Sequence, residues 1–469
     1  MAIPASIDEV RVAVAEALHW PHNLGIQLQT IPLGRAREGE ALLLYIQGLA
    51  DEELIRLRIL QPLARLAPPF PAGGRLTPAD LAAALSTPRI RRVGELAAVI
   101  EGVLKGTAAL FLDGASQAVL VEVEASAARP AGGVVSEQPY MDTFGGGLID
   151  NIALVRRRLS DPALIAEPHT LPHQRGNAAL LYLKGRADPE VVAQVREWVE
   201  RRGGEEALRR GLAAGLKGKL GLLPDRLSTK WPDQAASLLD AGYVAVMIDQ
   251  LHHAFIAPVT ASAMLAGAFD AEQIRPIGHW LRLIRFTLCL LVLTGSASIV
   301  AVMNYHQEMV PAPFLMALTS VREHAPLPIL AAVLLLEAFQ EIMREAGFHL
   351  PGRVGAGAAL IAGKILILIL VQGGVVGALE GAVSVGVAFT IIGFVNYELV
   401  YMLRPMRFAM ILAAGILGFF GMATVLFLFS IYFVQARSYG VPFFGEPGVR
   451  FTASGGISSR RQGGKRDAS

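Results

Sequence analysis

The stretch FAMILAAGILGFFGMATVLFLFSIYFV, residues Phe408–Val434, carries no charge, and the first charged residue after Arg407 is Arg437. A second uncharged stretch runs from Arg285 to Glu308 and contains FTLCLLVLTGSASIVAVM at Phe286–Met303. Each exceeds the roughly 18 apolar residues that can cross a bilayer as a helix. Val354–Val371 and Ala382–Tyr401 read as two further spans, and Pro328–Ala346 as a fifth candidate that acquires Glu337, Glu341, Arg344 and Glu345. The apolar stretch Pro311–Val321 is too short to cross and is expected to be re-entrant or interfacial.

Upstream of Arg285 the chain changes character, with charges in short alternating patterns. The whole chain has a mean hydropathy of +0.46 with 17% charged residues, too apolar for an ordinary soluble protein of 469 residues. A net charge of +2, with no basic patch interleaved with aromatics, gives no case for nucleic acid. The single cysteine, Cys289, lies inside an apolar run, so neither a disulfide framework nor a CxxC site is expected. The N-terminus MAIPASIDEVRVAVAEALHW contains acids and lacks a basic start before an apolar core, which argues against a signal peptide.

The soluble module reads as a duplication. ALLLYIQGLADE at Ala41–Glu52 recurs as ALLYLKGRADPE ending at Glu190, aligning Tyr45 with Tyr182 and Asp51 with Asp188. GTAALFLD, beginning at Gly106, matches GYVAVMID, beginning at Gly242, at nearly the same offset. In each copy an apolar run predicts a buried strand, a glycine allows a tight turn, and an aspartate caps the following helix. Asp113 and Asp249 are expected to be turn or cap residues rather than catalytic carboxylates. Gly145-Gly146-Gly147 lacks the Lys-Ser/Thr of a P-loop, and His252-His253 lacks further ligands at metal spacing. No catalytic residue, metal site or cofactor is assigned, and this half is read as a ligand- or partner-sensing module.

The ionisable residues within the apolar half are its most functional features. Glu337, Glu341 and Glu345 share one helix face, and Arg344 can pair with Glu341. Charge at bilayer depth costs at least roughly 2.5 kcal/mol per residue, so such groups face a bundle interior, a partner or water. Lys364, Asn396 and Glu398 join the candidates, with Lys364 expected to pair with Glu337, Glu380 or Glu398. Glycines at 352, 355, 357, 363, 415, 418 and 421 would let helices approach closely. Arg282 and Arg285 favour a cytoplasmic soluble module. Five crossings would put Arg344, Arg353, Arg404 and Arg407 inside and the basic tail outside; an even number reverses the tail, so the flanking charges alone leave the count open.

Six stretches, taken in order, carry a resemblance: NIALVRRRL (151–159), AALLYLKGRADPEVV (178–192), YHQEMVPAPFL (305–315), LEAFQEIMREAGFHLP (336–351), FVNYELV (394–400) and RSYGVPFF (437–444). In combination they resemble the GerA family of bacterial spore germination proteins, over about Ala41–Pro442. The resemblance implies the A subunit of a nutrient germinant receptor, or a close paralogue, in the spore inner membrane. Such a subunit works with a transporter-like B subunit and a lipoprotein C subunit, and is expected to form a homo-oligomeric ion channel in membrane lipid. It implies gating, pore or contact roles for Glu337, Glu341, Glu345, Asn396 and Glu398; Arg344 and Lys364 are gating candidates from their positions, and His306 and Glu308 are loop candidates. A paralogue assisting ion release and a non-conducting scaffold are the alternatives.

The predicted fold is thus an α/β soluble domain of two duplicated subdomains followed by an α-helical multi-span transmembrane bundle. Its expected boundaries are 1–124 and 178–280 for the subdomains, 125–177 for a linker with a helix, 281–437 for the transmembrane domain, and 438–469 for a disordered tail.

Overall fold

The computed structural model describes residues 2–33, 39–65, 77–85, 89–125, 142–171, 177–202, 223–224, 227–267, 270, 275–313, 315–316, 319, 325–349, 354–392, 396–447, 449–451 and 457–459. The chain divides into two compact units. One comprises Met1–Gly211, Ser228–Pro258 and Pro447–Ser469; the other comprises Leu212–Leu227 and Val259–Glu446.

The first unit contains two five-stranded sheets of the same order. The first copy runs α1 (Ile7–Leu18), β1 (Ile26–Leu33), β2 (Gly39–Ile46), α2 (Glu52–Ile55), a π-turn (Arg56–Leu60), α3 (Gln61–Arg65), α4 (Pro78–Ala84), β3 (Ile90–Val93), α5 (Leu96–Leu104), β4 (Thr107–Leu112) and β5 (Ala118–Glu122). The second runs α6 (Leu148–Arg158), β6 (Leu164–Thr170), β7 (Asn177–Leu183), α7 (Pro189–Arg202), β8 (Leu227–Thr229), α8 (Pro232–Asp240), β9 (Val244–Ile248) and β10 (Ala254–Ala257). The strand orders are β1-β2-β4-β5-β3 and β6-β7-β9-β10-β8. The two repeated sequence pairs therefore occupy equivalent strands, β2 with β7 and β4 with β9.

Strand β2 is apolar throughout because both faces are covered. Leu42, Leu44 and Ile46 pack with α1 and α5, whereas Leu43 and Tyr45 pack with the helical run after Asp51 and with α4. Asp51 caps that run by accepting from Glu53 N at 2.9 Å, and Asp188 accepts from Glu190 N at 2.9 Å. Asp113 and Asp249 are caps of a longer reach. Asp113 accepts from Ile7 N at 3.4 Å and Asp249 from Leu148 N at 3.3 Å, each at the first residue of the helix that opens its copy. Gly114 after Asp113 has φ +81°, and Gln250 after Asp249 keeps the same left-handed turn at φ 65°.

The second copy consequently begins at α6 rather than at 178. The region 125–177, read as a linker with a helix, supplies both the opening helix and the edge strand β6, which pairs antiparallel with β7 from Leu164↔Leu183 to Thr170↔Asn177. Its Glu167, Pro168 and His169 hide the strand, since a proline suits only an edge and the polar residues face solvent or partners.

NIALVRRRL joins the copies. Arg156, buried in α6, donates to Asn23 Oδ1 at 2.6 Å and to the Leu24 carbonyl at 2.9 Å. Asn23 also donates to the Leu18 and Leu164 carbonyls and accepts from Ala166 N, all at 2.9 Å. Burial pulls the Arg156 guanidinium down to about 10, still charged at neutral pH. Arg157 reaches the Gly48 and Ala125 carbonyls, and Arg158 pairs with Asp142 and Asp233.

The second unit contains α9 (Ala261–Leu265), α10 (Arg275–Tyr305), a 3₁₀ turn (Gln307–Met309), α11 (Ile329–His349), α12 (Val354–Gln372), α13 (Ala378–Ile392), α14 (Tyr397–Gln435), β11 (Arg437–Ser438) and β12 (Val441–Pro442). Two helices, Trp280–Tyr305 and Glu398–Gln435, are long and apolar enough to cross a membrane by length and composition. The span expected at Ala382–Tyr401 is divided: α13 stops at Ile392, Asn396 is extended (φ −104°, ψ 119°), and 397–401 open α14. Of Pro311–Val321, residues 312–313, 315–316 and 319 are helical and the others, apart from Pro311, lie outside the described residues.

The single span expected at Phe408–Val434 is instead two antiparallel arms. Gly418 has φ 61° and ψ −143°, outside any helix. A straight helix of 39 residues would separate its ends by about 58 Å. Yet Asn396 reaches the carbonyls of Ala263, Met264 and Ala266, and Ser438 Oγ accepts from Val259 N at 2.9 Å. The eight residues from 259 to 266 reach at most about 28 Å, so α14 must fold back. A Cβ at Gly421 would meet the Ala413 carbonyl across the turn. Tyr305 at the end of α10 donates its hydroxyl toward the Gly415 and Ile416 carbonyls, both at 2.9 Å, and His306 stacks on Phe419 at 5.0 Å. These contacts occupy carbonyls that the break releases.

The expected disordered tail also changes. Residues 437–442 form the β11–β12 hairpin, followed by Phe443 stacked on Phe433, and 449–451 (β13) pair with 457–459 (β14). Residues 460–469 lie outside the described residues.

One titration tests the second copy. Glu167 on β6 accepts from Arg196 at 2.9 and 2.8 Å and from Tyr182 Oη at 2.5 Å. Burial alone would raise its carboxyl, but His169, Tyr182 and Arg196 outweigh it and hold it at about 2, below the ordinary 4.5. Its contribution to stability is complete above about pH 4.5 and is lost as pH falls toward 2. Glu167→Gln is expected to destabilise at pH 7, with the deficit shrinking between pH 4.5 and 2 in denaturant titrations. A deficit independent of pH would contradict this assignment.

Candidate functional site

Helix α11 is the polar spine of the helical unit. Its apolar residues Ile329 and Val333 pack against α10 and α14, and Gly415 lets α14 approach Leu330. The polar residues follow at Glu337, Gln340, Glu341 and Arg344. Glu337 is 0% exposed and accepts from Ser296 Oγ of α10 at 2.6 Å. Arg407 of α14, 1% exposed, donates from Nη2 to Glu341 Oε1 at 2.9 Å and lies 2.9 Å from Glu337 Oε2. The second approach is an ion pair whose angle falls short of a hydrogen bond. Glu341 is also 2.8 Å from Arg344 and 3.1 Å from Arg404 Nε. Gln340 donates to the Ser384 carbonyl of α13 at 2.8 Å and to its hydroxyl. Side chains of α11 thus reach α10, α13 and α14 through polar contacts within apolar packing.

The expected acidic face is divided by its surroundings. Glu337 and Glu341 join Arg407, and Arg344 pairs with Glu341 as its spacing suggests, whereas Glu345 is exposed. Arg404 and Arg407 were read as flanking charges; burial and pairing make them members of the cluster. Their partners are far away in sequence, and no local spacing marks them. Lys364 does not join its expected carboxylates by any ion pair described here. It donates to the Val385 carbonyl at 3.3 Å and lies 4.8 Å from the Phe389 ring centre. Buried Glu380 packs over Gly377 in the first turn of α13. Glu398 is half-buried in the first turn of α14. Asn396 is buried against the carbonyls at the C-terminal end of α9. His306 and Glu308 lie 3.4 Å apart beside the Gly418 turn.

A cavity of about 10 Å³, lined by Val292, Arg344, Arg404 and Arg407, borders the cluster. That is about the volume one water needs. The α/β unit holds a larger cavity of about 430 Å³, bordered by Asp150, His169, Asn177 and Asp249. Its size is within the range of small-molecule sites.

The buried pair makes a double-mutant prediction. Removing one partner leaves an uncompensated charge, so Arg407→Leu alone is expected to cost about 3–5 kcal/mol. Replacing both Glu337 and Arg407 by leucine should cost much less, because neither charge remains. Thermal unfolding of the lipid-reconstituted chain measures the cycle; equal losses in the single and double variants would refute the pairing.

Comparison with known proteins gives a consistent assignment. The profile of the Bacillus/Clostridium GerA spore germination protein family matches residues 16–455. Spore germination protein KA of Bacillus subtilis (strain 168) is 25% identical over 455 residues, covering 91% of this chain and 79% of that protein. The same organism's uncharacterized membrane protein YfkQ is 25% identical over 415 residues, covering 86% and 79%. The crystal structure of the N-terminal domain of the A subunit of the Bacillus megaterium spore germinant receptor GerK3 aligns with a TM-score of 0.43 and 19% identity, covering 55% of this chain and 96% of that one. With the family profile spanning nearly its whole length, the chain belongs to the GerA family of spore germination proteins.

Proposed function

We propose that the chain is a non-enzymatic, multi-pass membrane subunit of a spore germinant receptor, coupling germinant detection to ion release as part of an oligomeric channel. The observation that carries this reading is the buried Glu337–Arg407–Glu341 network. Charges are costly at the centre of an apolar bundle unless their arrangement does something that packing alone does not. In the described conformation both acids are neutralised, so they act as a latch between α11 and α14 rather than as a filter that strips ions of water. Opening would separate α14 from α11 and release the acids toward an ion path. The cavity in the α/β unit is the place where a small ligand or a partner side chain would be read. Transporter-like B and lipoprotein C subunits are the proposed partners.

The fold-back of α14 supports an even number of crossings. With α10, α11, α12, α13 and the two arms of α14 as six crossing segments among the described residues, Val259 and Ser438 share one face. Arg282, Arg285 and Arg437 then all lie toward that face, as the positive-inside rule requires of a cytoplasmic side. Glu308 lies toward the other. Single cysteines at Asp8 and Ser459, in a Cys289→Ala background, are expected to react with an impermeant maleimide from the same side, and Glu308→Cys from the opposite side. Labelling of Asp8→Cys and Ser459→Cys from different sides would refute the even count.

The functional test is reconstitution with the co-encoded partners and measurement of monovalent-cation flux. The wild type is expected to conduct only with its partners present. Glu341→Gln, which removes the carboxylate shared by Arg344, Arg404 and Arg407, should raise the resting leak several-fold, the scale of losing about 1 kcal/mol of latch stability. Absence of flux in every combination would favour the non-conducting scaffold.

A further inference from the structure

The five-residue helix α9 is too short to persist by its own hydrogen bonds. Ala266 N returns to the Ala263 carbonyl at 3.3 Å, and side chains of other helices reach the carbonyls around and beyond it. Asn396 Nδ2 donates to the Met264 carbonyl at 2.6 Å and lies 3.5 Å from that of Ala263 and 3.4 Å from that of Ala266. Arg285 Nη1 donates to the Leu265 carbonyl at 2.8 Å, and the same guanidinium grips Asp270 at 2.6 and 2.8 Å. Asp270 in turn accepts from Gly267 N at 2.9 Å.

The N-terminal side is held by a different part of the chain. Val259 N donates to Ser438 Oγ at 2.9 Å and Ala261 N to the Phe443 carbonyl at 2.8 Å. Thr260 Oγ1 closes the first turn by accepting from Ala263 N at 3.3 Å. Residues 259–267 are therefore clamped by the start of α10, the start of α14 and the hairpin that follows α14. They are also the first residues of the helical unit after the α/β unit ends at Pro258.

We infer that residues 259–267 are a conditional joint, folded only while α10 and both ends of α14 stay in register, and that its folding is coupled to the arrangement of the latch. Asn396 is its principal positioning residue. A shift of the α14 start by an ångström or two lengthens the bond to the Met264 carbonyl beyond hydrogen-bonding range. The joint thus has two states, clamped and released, and anything that favours one favours the corresponding arrangement of the bundle. Its role in gating rests on the proposed channel reading; its conditional folding does not.

Hydrogen exchange on the full chain in lipid nanodiscs separates the two. In Asn396→Leu, amides of 261–267 are expected to exchange roughly tenfold faster, the equivalent of one lost hydrogen bond, while β7 and β9 stay protected. Ser438→Ala, a milder change at the other end, should raise exchange at Val259 and also at 263–264. Unchanged protection at 261–267 in Asn396→Leu, or an effect of Ser438→Ala confined to Val259, would overturn the joint. If Asn396→Leu unfolds the helical unit, the Ser438→Ala pattern alone decides. In flux measurements Asn396→Leu should weaken the response to partners at least several-fold; a wild type without flux defeats the channel reading while the exchange result still decides the joint.

Discussion

A guanidinium with 1% exposure, set among apolar helices, is the constraint around which the helical unit is arranged. Arg407 cannot reach water, and a buried charge needs a partner, so the fold must bring carboxylates to it. Helix α11 does so with Glu337 and Glu341, one turn apart on one face. That requirement fixes the rotation of α11 and its axial register against α14. Ser296 then completes Glu337 from α10, while Arg344 and Arg404 complete Glu341. A slip of one residue in any of these helices would leave a charge without a partner, a far larger penalty than mismatched apolar packing. The surrounding leucines and alanines tolerate several arrangements; the ionic cluster selects one.

The α/β unit reaches specificity by similar means. Two sheets of the same strand order could pack against one another in many ways, since apolar faces are forgiving. Asn23 removes that freedom by donating to both copies, at Leu18 and Leu164, and accepting from the second, at Arg156 and Ala166. Arg156, Arg157 and Arg158 each reach a different part of the unit, so one turn of α6 ties the duplicated halves and the intervening segment together.

Much of this was visible in the sequence, and the failures share a cause. The duplicated strands were legible because burial on both faces demands unbroken apolar runs, and Asp51 and Asp188 because a cap acts on residues beside it. Asp113 and Asp249 were legible as polar punctuation, but the helices they cap start more than a hundred residues away. Strand β6 was hidden by Glu167, Pro168 and His169, which suit an edge and also suit a loop. The break at Gly418 left no trace, because a turn within an apolar environment needs no polar residue to mark it, and neighbouring glycines look alike on paper. Glu337 and Glu341 stood out as charges in an apolar stretch, yet Arg404 and Arg407 read as an interfacial flank. Only the three-dimensional pairing distinguishes an arginine that ends a span from one that anchors it.

The hydrogen bonds from Val259 to Ser438 and from Ala261 to Phe443 join the first and last parts of the helical unit. During synthesis the earlier partner emerges nearly 180 residues before the later one. Each helix can form and find its neighbours as it appears, but this closing contact must wait until residues 438–443 have been made. Until then Val259 and Ala261 lack their native acceptors, and the chain leading out of the α/β unit is not yet fastened. The nascent helical unit is therefore assembled in an unfastened form, and completion of the β11–β12 hairpin is what closes it.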